Sequence, residues 1–331
     1  MGIIKYIKPE NLSGYIPKNL NKLIQTIKRR NFIVINDFSV GGDAPKDFIK
    51  LYSYGKVKRE NKGKWIKYIA KTGHKWYPNE SISEHLLNSI GKELGLLMSN
   101  SELALISGQL RFLSEYFLDN QHQELVHGVD IFAGYVSDRE LVEQIEEQQL
   151  AREFFTFQFA IKAIEFAFPQ DYEEIITDFV KLLIFDAIVG NNDRHFYNWG
   201  VVKSINGTRK PYFSPIFDTA RGLFWNESEE RIISRLNQKN QITAYKKYIN
   251  NSFPKTGWEG EYNPNHFVLI EKVINHDKKY ERIINELLTA NKEKKVLEMI
   301  QTNFSSLLSV NRMTIVTECL KLRFQQLRSI K

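Results

Sequence analysis

Two aspartates and one asparagine lie close together in a stretch of apolar runs and turn-forming residues. Asp193 and Asn198 occur in GNNDRHFYNWGVV, and Asp218 follows in SPIFDTARG. These residue types suit phosphoryl transfer, which needs a carboxylate to accept the proton of the attacking hydroxyl and oxygen ligands for the Mg²⁺ that neutralises nucleotide phosphates. Asp193 is therefore a candidate base, and Asn198 and Asp218 are candidate metal ligands.

An Asp followed five residues later by an Asn is a weak signal alone, because chance supplies such a pair in many chains. The surrounding pattern strengthens the signal. Residues 190–191 (Gly-Asn) are placed to end an apolar helix in a sharp turn, and residues 201–202 (Val-Val) resume an apolar strand. A hairpin turn is predicted at 206–207 (Asn-Gly), followed by a second strand that leads through PIF to Asp218. The alternative is that both aspartates only form turns.

The sequence before these motifs predicts a small β-rich region. Residues 9–30 favour a short helix, and residues 31–71 alternate apolar stretches with Gly, Pro and Asn, as strands and turns do. Within them, KWIKYIAK at 64–71 has the alternation of a strand. A helix is predicted in SISEHLLNSIGKELG, ending at Gly95, and the apolar runs ALIS and LRFLSEYFL favour strands.

The later part of the sequence favours helices instead. Over 137–189 the apolar residues recur at helical spacings, most clearly at 175–184, and Pro169 separates this helix from the one before it. Residues 190–225 return to short strands and turns, and residues 228–331 are mostly helical. An α+β fold is predicted, in which a small β-rich N-terminal lobe precedes a larger, mostly helical C-terminal lobe.

The stretch that carries Asp193 resembles the catalytic loop of HipA-like serine/threonine kinases, remote relatives of eukaryotic protein kinases and phosphoinositide kinases. That loop has the form G-N-x-D-x-H-x-x-N, and residues 190–198 match it. Asp218 in PIFD matches the family's metal-binding aspartate. At the histidine of the loop, His195 is expected to pack beside Asp193 and orient it rather than to transfer a proton.

The resemblance implies a two-lobed, protein-kinase-like fold and is readable over about residues 31–225. It divides the chain into an N-terminal helical extension at 1–30, an N-lobe at 31–120 with the phosphate loop, nucleotide lysine and hinge, and a helical C-lobe at 121–331. Full-length members of the family carry an additional N-terminal subdomain. The chain therefore resembles the shorter, stand-alone members.

The resemblance continues into the small lobe, where SVGGDAPK is similar to the family's glycine-containing phosphate loop. Lys71 in YIAK matches the lysine that contacts nucleotide phosphates, Glu84 falls in the helix that holds this lysine, and LSEYF lies where a hinge strand offers backbone groups to adenine. The implied nucleotide-binding residues are Ser39, Gly41, Gly42, Lys46, Lys71, Glu84, Glu115 and Phe117. Glycines let backbone N–H groups approach phosphate oxygens, and a lysine supplies a point charge. The alternatives are that the two glycines only form a turn and that Lys71 is an ordinary surface lysine.

The family resemblance implies an ATP- and Mg²⁺-dependent protein serine/threonine kinase that acts on a protein hydroxyl. It also implies either a toxin of a toxin–antitoxin system that acts on translation, with an antitoxin partner, or a bacterial effector.

HipA-like kinases autophosphorylate a serine at the position of Ser39, where a phosphate would repel ATP; the alternative is a serine that only shapes the turn. Two other functions stay open, a small-molecule or phosphoinositide kinase and a nucleotide-binding pseudokinase.

The composition agrees with a globular protein in a reducing compartment. Hydrophobic residues make up 42% and charged residues 26% of the chain, and no apolar run approaches the roughly 18 residues that span a bilayer. Cys319 is the only cysteine, so no internal disulfide is expected, and without a readable signal peptide the cytoplasm is predicted.

The net charge of +7 is dispersed, and no nucleic-acid recognition module is visible. No dense Asp, Glu and His cluster lies on one element, which argues against a metal-dependent nuclease.

Overall fold

A computed structural model of the chain describes residues 20–35, 46–55, 57–73, 79–119 and 121–330. The first part is built on a six-stranded sheet, and the second part consists of helices around a three-stranded sheet. The α+β architecture with the β-rich part first is confirmed.

The six-stranded sheet forms most of the N-terminal part. Its strands are β1 Thr26–Ile27, β2 Phe32–Val34, β3 Lys46–Leu51, β4 Ile66–Thr72, β5 Ser101–Ile106 and β6 Gln109–Glu115. The order is β1-β5-β6-β4-β3-β2, and only the β1–β5 pair is parallel. A short helix, α1 Leu20–Leu23, precedes the sheet, and single 3₁₀ turns lie at Arg29–Asn31 and Lys62–Lys64. The helix predicted over 9–30 is therefore wrong at 26–27, where β1 forms instead, and residues 9–19 of that prediction lie outside the described residues.

The strand predicted at 64–71 is confirmed as β4. Tyr68 and Ala70 are buried on one face of this strand, where they pack with Ile49 and Leu113 of the neighbouring strands. Because successive side chains of a strand point to opposite faces, Lys71 lies on the other face of the sheet. That face is the one against which the next helix packs.

The helix predicted after β4 is confirmed as α2, Glu80–Glu93. Ile82, Leu86 and Ile90 are buried because they recur four residues apart on one face. The chain leaves the helix through Gly95, whose φ of +81° lies in the left-handed region that favours glycine. The helix packs across β5 and β6 and so faces the side of the sheet that carries Lys71.

The C-terminal part is mainly helical, as predicted for 137–189 and 228–331. Its helices are α3 Gly128–Val136, α4 Arg139–Glu147, α5 Ala151–Phe154, α6 Phe157–Ala167, α7 Tyr172–Val189, α8 Glu229–Leu236, α9 Gln241–Asn250, α10 His266–His276, α11 Lys279–Leu287, α12 Ala290–Phe304 and α13 Val310–Arg328. The central helix is α7, which packs against α6, α10, α11 and α13. Within the part of the chain that the structure describes, no helix is long and apolar enough to cross a membrane.

A three-stranded antiparallel sheet follows α7 and holds the strands around the predicted catalytic segment. Its strands are β7 Gln123–His127, β8 Gly200–Ser204 and β9 Tyr212–Phe213, in the order β7-β8-β9. The hairpin predicted around 206–207 is confirmed, since β8 pairs with β9 and Gly207 has a φ of +68° in the connection.

The prediction that the second hairpin strand continues to Asp218 is wrong. β9 ends at Phe213, and Pro215 has no N–H with which to extend the ladder. Ile216 instead forms an isolated parallel bridge with Met98, in which Ile216 N donates to Leu97 O at 2.8 Å. The segment that leads to Asp218 is therefore attached to the loop after α2, in the N-terminal part.

Candidate active site

The structure brings together three predicted site residues that are far apart in the sequence. Lys71 on β4 extends its Nζ to Glu84 Oε1 of α2 at 2.6 Å and to Asp218 Oδ1 at 3.0 Å. Side-chain exposure is 11% for Lys71, 3% for Glu84 and 33% for Asp218. The lysine therefore links the two parts of the molecule at a site where the aspartate remains open to solvent.

The charges of this cluster support one another. Burial disfavours the charge on Lys71, but attraction to Asp218 and Glu84 outweighs it and raises the pKa of the lysine. Burial likewise acts against the Asp218 carboxylate, but the Lys71 ammonium outweighs it and holds the pKa well below its usual range. Burial raises the pKa of Glu84 to about 7, and Lys71 limits that rise. At neutral pH the cluster presents a cationic lysine beside an ionised aspartate.

The predicted catalytic loop, residues 190–198, begins where α7 ends. Gly190 closes the helix in the left-handed conformation with a φ of +64°, and a Cβ at this position would lie 2.5 Å from Arg323 Nη2. Asn191 turns back onto α7, because its Nδ2 donates to Asp186 Oδ1 at 2.9 Å. The sharp turn predicted at 190–191 thus has a steric cause and a polar partner.

A buried ion pair fixes the rest of the loop. Arg194 Nε donates to Asp186 Oδ2 at 3.0 Å, and Arg194 Nη2 donates to Asp186 Oδ1 at 3.2 Å. The same guanidinium donates through Nη1 to Asn198 O at 2.8 Å and to Phe217 O at 2.6 Å. Arg194 therefore holds the backbone beside Asn198 and the backbone beside Asp218 in one arrangement.

Sequence reasoning missed Asp186 and Arg194, although both carry a signal. Asp186 is the one charged residue in the run LLIFDAIVG, which forms the last turns of α7. Every residue in these last turns, 182–189, is buried, and a carboxylate there requires a partner, because a buried charge without one is costly. The arginine of DRH is the nearest cation in the sequence that follows.

Replacing Arg194 with methionine is expected to destabilise the protein by about 3–5 kcal/mol, because Asp186 would stay buried without its cation. The measurement is the free energy of unfolding in a guanidinium titration. Arg282→Met is the matched control, since Arg282 is 85% exposed and its loss should cost less than about 0.5 kcal/mol. Equal stabilities of the two variants would contradict a structural role for the Asp186–Arg194 pair.

Asn198 and Asp193 lie next to each other at the open end of this loop. Asn198 Nδ2 donates to Asp193 O at 3.0 Å, so the amide nitrogen is used within the loop and the amide oxygen is the atom that could ligate a metal. The Asp193 carboxylate is 26% exposed and pairs through Oδ2 with Arg221 Nη1 at 3.1 Å. Arg221 was not singled out from the sequence, where it appears only as the arginine of DTARG.

His195 has a different neighbour from the one expected. Its Nε2 lies 3.1 Å from Asn198 Nδ2, and its Nδ1 accepts a hydrogen bond from Tyr197 N at 3.3 Å. Burial lowers the pKa of this histidine, although the charge of Asp193 opposes the effect, so the ring is neutral at neutral pH. The ring therefore lies beside the amide nitrogen of Asn198.

The chain after Asp218 is fastened to the end of α7. Asp218 itself has a φ of +54°, a left-handed conformation that aspartate tolerates better than most residues. A Cβ at Gly222 would lie 2.6 Å from Val189 O, and Leu223 N donates to the same oxygen at 3.1 Å. This close approach, which only glycine permits, sets the position of residues 219–221 beside the catalytic loop.

The remaining predicted nucleotide-binding residues lie in the N-terminal part. Ser39, Gly41 and Gly42 are outside the described residues. Lys46 begins β3 directly opposite Lys71 in the strand register, and its charge helps to lower the pKa of Asp218.

The two predicted hinge residues differ in their surroundings. Glu115 N donates to Asn100 O at 2.7 Å, and Glu115 O accepts from Ser99 Oγ at 2.9 Å. Both backbone groups of Glu115 are thus bonded to the two residues that precede β5. Phe117 follows the end of β6, and its ring centroid lies 6.0 Å from that of Phe217, which places it beside the segment that carries Asp218.

The donor set suits Mg²⁺ better than a transition metal. Among the described residues, no group of three or more His, Cys, Asp and Glu side chains could hold a metal ion. Mg²⁺ prefers oxygen ligands and is usually held by one or two carboxylates together with substrate phosphates. The Asp218 carboxylate and the Asn198 amide oxygen meet that requirement.

Known proteins share the family or the fold of this chain. Residues 38–294 match the family described as HipA-like C-terminal domain. The crystal structure of the Helicobacter pylori proinflammatory kinase CtkA is similar, with a TM-score of 0.70 at 16% identity over 89% of this chain and 92% of that chain. A chain of the Shewanella oneidensis MR-1 toxin–antitoxin complex of HipA, HipB and operator DNA is similar with a TM-score of 0.51 at 14% identity, over 88% of this chain and 64% of that chain.

A search of curated protein sequences found no match. Because the two solved structures are only 16% and 14% identical to the chain in sequence, their similarity to it shows the fold alone. It confirms the predicted two-lobed, kinase-like fold.

Proposed function

The chain belongs to the HipA-like C-terminal domain family, and from this premise we propose that it is an ATP- and Mg²⁺-dependent protein serine/threonine kinase. The observation that carries the proposal is the contact of Lys71 Nζ with Glu84 Oε1 at 2.6 Å and with Asp218 Oδ1 at 3.0 Å. A lysine held by a helix glutamate beside a metal-binding aspartate is the arrangement that phosphoryl transfer from a nucleotide requires.

In the proposed reaction, the oxygen of an acceptor hydroxyl forms a bond to the γ-phosphorus of ATP. The bond between that phosphorus and the β–γ bridging oxygen breaks, and ADP leaves. Asp193 takes the proton of the hydroxyl, because its carboxylate is partly exposed at the open end of the catalytic loop. Lys71 contributes positive charge to the phosphates, and Glu84 keeps the lysine in place.

Asn198 and Asp218 would hold the metal ion. Bound Mg²⁺ supplies positive charge that neutralises the phosphates of the nucleotide. The chain's part is to fix the backbone that carries each of these side chains, which Arg194 does through its bonds to Asn198 O and Phe217 O. His195 adds a contact to the Asn198 side chain.

The class of acceptor is tested with mixed panels. The purified chain is incubated with ATP and Mg²⁺ together with protein, phosphoinositide or aminoglycoside acceptors, and the phosphorylated products are counted by mass spectrometry. Phosphoserine or phosphothreonine in protein is the expected product. Transfer only to a lipid or to an aminoglycoside would replace the proposal with a small-molecule kinase, and nucleotide binding without transfer would indicate a pseudokinase.

The physiological proposal is that the kinase is a cytoplasmic toxin with an antitoxin partner, or a bacterial effector. The support is the Shewanella oneidensis complex, in which HipA is found with HipB in a toxin–antitoxin system. Induced expression in a bacterial host should then arrest growth, whereas expression of Asp193→Asn should not. Arrest by both forms would contradict a toxicity that depends on phosphoryl transfer.

Autophosphorylation at Ser39 is a further part of the proposal. A phosphate adds about −1.5 to −2 charges at neutral pH, and beside the phosphates of ATP that charge would oppose binding. Ser39→Asp is therefore expected to weaken ATP binding, whereas Ser39→Ala should leave it largely unchanged; calorimetry measures both. An active preparation in which mass spectrometry finds Ser39 unmodified would contradict autoregulation and leave the kinase proposal untouched.

A further inference from the structure

The carboxylate proposed to receive the acceptor's proton already has a cationic partner. Arg221 Nη1 lies 3.1 Å from Asp193 Oδ2. Asp193 is 26% exposed and Arg221 is 37% exposed, so the pair lies at the surface of the site rather than in the core. An acceptor that reaches Asp193 must therefore approach next to the guanidinium.

The position of Arg221 is set by the catalytic machinery itself. Its guanidinium carbon lies 5.4 Å from the ring centroid of Trp225, which places the cation over an aromatic face. Its backbone oxygen accepts from Asn192 N of the catalytic loop at 3.4 Å. The close packing of Gly222 on Val189 fixes the next residue. The guanidinium is thus held beside Asp193 by the loop, by the aromatic ring and by the end of α7.

Geometry limits what Arg221 can contact during the reaction. A hydroxyl that gives its proton to Asp193 must come within about 2.6–3.2 Å of the carboxylate. The guanidinium contacts the same carboxylate, so it lies only a few ångströms from the acceptor oxygen. In a polypeptide acceptor, the residues that flank the hydroxyl are therefore within reach of Arg221.

We propose that Arg221 selects acceptors whose serine or threonine is flanked by an acidic side chain. The inference rests on the proposed kinase function. Without an acceptor, the guanidinium pairs with Asp193 and keeps this carboxylate from activating water. When an acceptor binds, the guanidinium exchanges from Asp193 to the flanking carboxylate, and Asp193 is left to take the proton of the hydroxyl.

The physical chemistry of the pair favours such an exchange. A partly exposed ion pair contributes little to stability, so its loss is easily offset. An arginine can bind a carboxylate through two parallel N–H bonds, which makes an incoming glutamate or aspartate a suitable replacement partner. The acidic preference is therefore expected on the flank of the acceptor that faces Arg221.

The exchange predicts two effects of removing the cation. Arg221→Gln should lose the preference for acidic flanks, and it should hydrolyse ATP faster in the absence of an acceptor. In that hydrolysis, water takes the place of the hydroxyl, forms the bond to the γ-phosphorus and yields ADP and inorganic phosphate. A merely structural role of Arg221 would lower both activities together.

The test uses synthetic peptides with one acceptor serine, flanked by glutamate, alanine or lysine. The wild type is expected to phosphorylate the glutamate-flanked peptide with a kcat/KM roughly tenfold above that for the lysine-flanked peptide, because like charges are strongly disfavoured at contact. Arg221→Gln should bring the ratio close to one, and Arg221→Glu should reverse it. Arg282→Gln is the matched control, because this arginine is 85% exposed on α11 and pairs with Glu286 of the same helix.

Three results would overturn the inference. The wild type could show the same kcat/KM for all three peptides, or Arg221→Gln could keep the preference for the glutamate-flanked peptide. The third result is a rate of acceptor-free ATP hydrolysis in Arg221→Gln that equals that of the wild type. A failure of the kinase function itself looks different, because the wild type would then transfer no phosphate to any peptide and would match an Asp193→Asn blank. Thermal melting of each variant confirms that the compared proteins are folded.

Discussion

Asp218→Asn is expected to lower phosphoryl transfer by about 10³-fold, because one charged group aimed at the developing charge of a transition state typically has an effect of this size. The substitution removes the charge that faces Lys71 at 3.0 Å and replaces one of the two proposed ligands of the metal. Mg²⁺-dependent nucleotide binding should weaken as well. Initial rates and the Kd for nucleotide, with and without Mg²⁺, measure the two effects separately.

The fold should survive this change. Asp218 is one-third exposed at 33%, and Lys71 keeps its contact with Glu84 at 2.6 Å. Asp178→Asn provides a matched control, since this aspartate lies on α7, is 42% exposed and pairs only with Lys181 among the contacts of the described residues. A fully active Asp218→Asn enzyme, or an equal loss in Asp178→Asn, would contradict the proposed metal site.

Asp193→Asn is expected to lower the rate by about 10²–10⁴-fold, the range for loss of a general base. Asparagine keeps the shape of the side chain but cannot take the proton of the acceptor. Because Asp193 is not a proposed metal ligand, nucleotide binding should be close to that of the wild type. Single-turnover kinetics at saturating ATP isolates the chemical step, and calorimetry reports the binding.

The contrast between the two variants is as informative as either loss. If Asp193→Asn and Asp218→Asn weakened nucleotide binding to the same extent, the division into a base and a metal ligand would be wrong. Retained turnover in Asp193→Asn would remove the proposed proton acceptor altogether.

Much of the site could be predicted because its parts are local in the sequence. Asp193 and Asn198 are five residues apart in one loop, and the structure joins them by a hydrogen bond of 3.0 Å. Lys71 and Glu84 fall on a strand and a helix with clear periodicities, and β6 folds back to pair with β4. Their contact follows once the helix packs on the face of the sheet that carries the lysine.

Residues that hold the site in place were harder to predict. Arg194 bonds to Asp186, Asn198 and the backbone before Asp218, and these contacts depend on how α7 ends rather than on any spacing. The pairing of Arg221 with Asp193 depends on the close approach of Gly222 to Val189. Such contacts between segments leave no periodic pattern in the sequence.

Backbone hydrogen bonds also could not be predicted from the pattern of side chains. The apolar run before Asp218 suggested a strand, but Pro215 stops the ladder and Ile216 bonds to Leu97. Glu115 was assigned to the hinge by position alone, and its backbone groups are bonded to Asn100 and Ser99. At Ile216 and at Glu115, the side-chain pattern did not indicate which group the backbone bonds to.

The most direct test of the proposed kinase activity is incubation of the purified chain with γ-labelled ATP and Mg²⁺, followed by mass spectrometry of the protein. The expected result is labelled phosphoserine or phosphothreonine on the wild type, with none when Mg²⁺ is chelated and almost none on Asp193→Asn. The proposed activity is contradicted if a wild type that is folded and binds nucleotide incorporates no label into itself or into any protein acceptor. It is equally contradicted if Asp193→Asn carries as much label as the wild type.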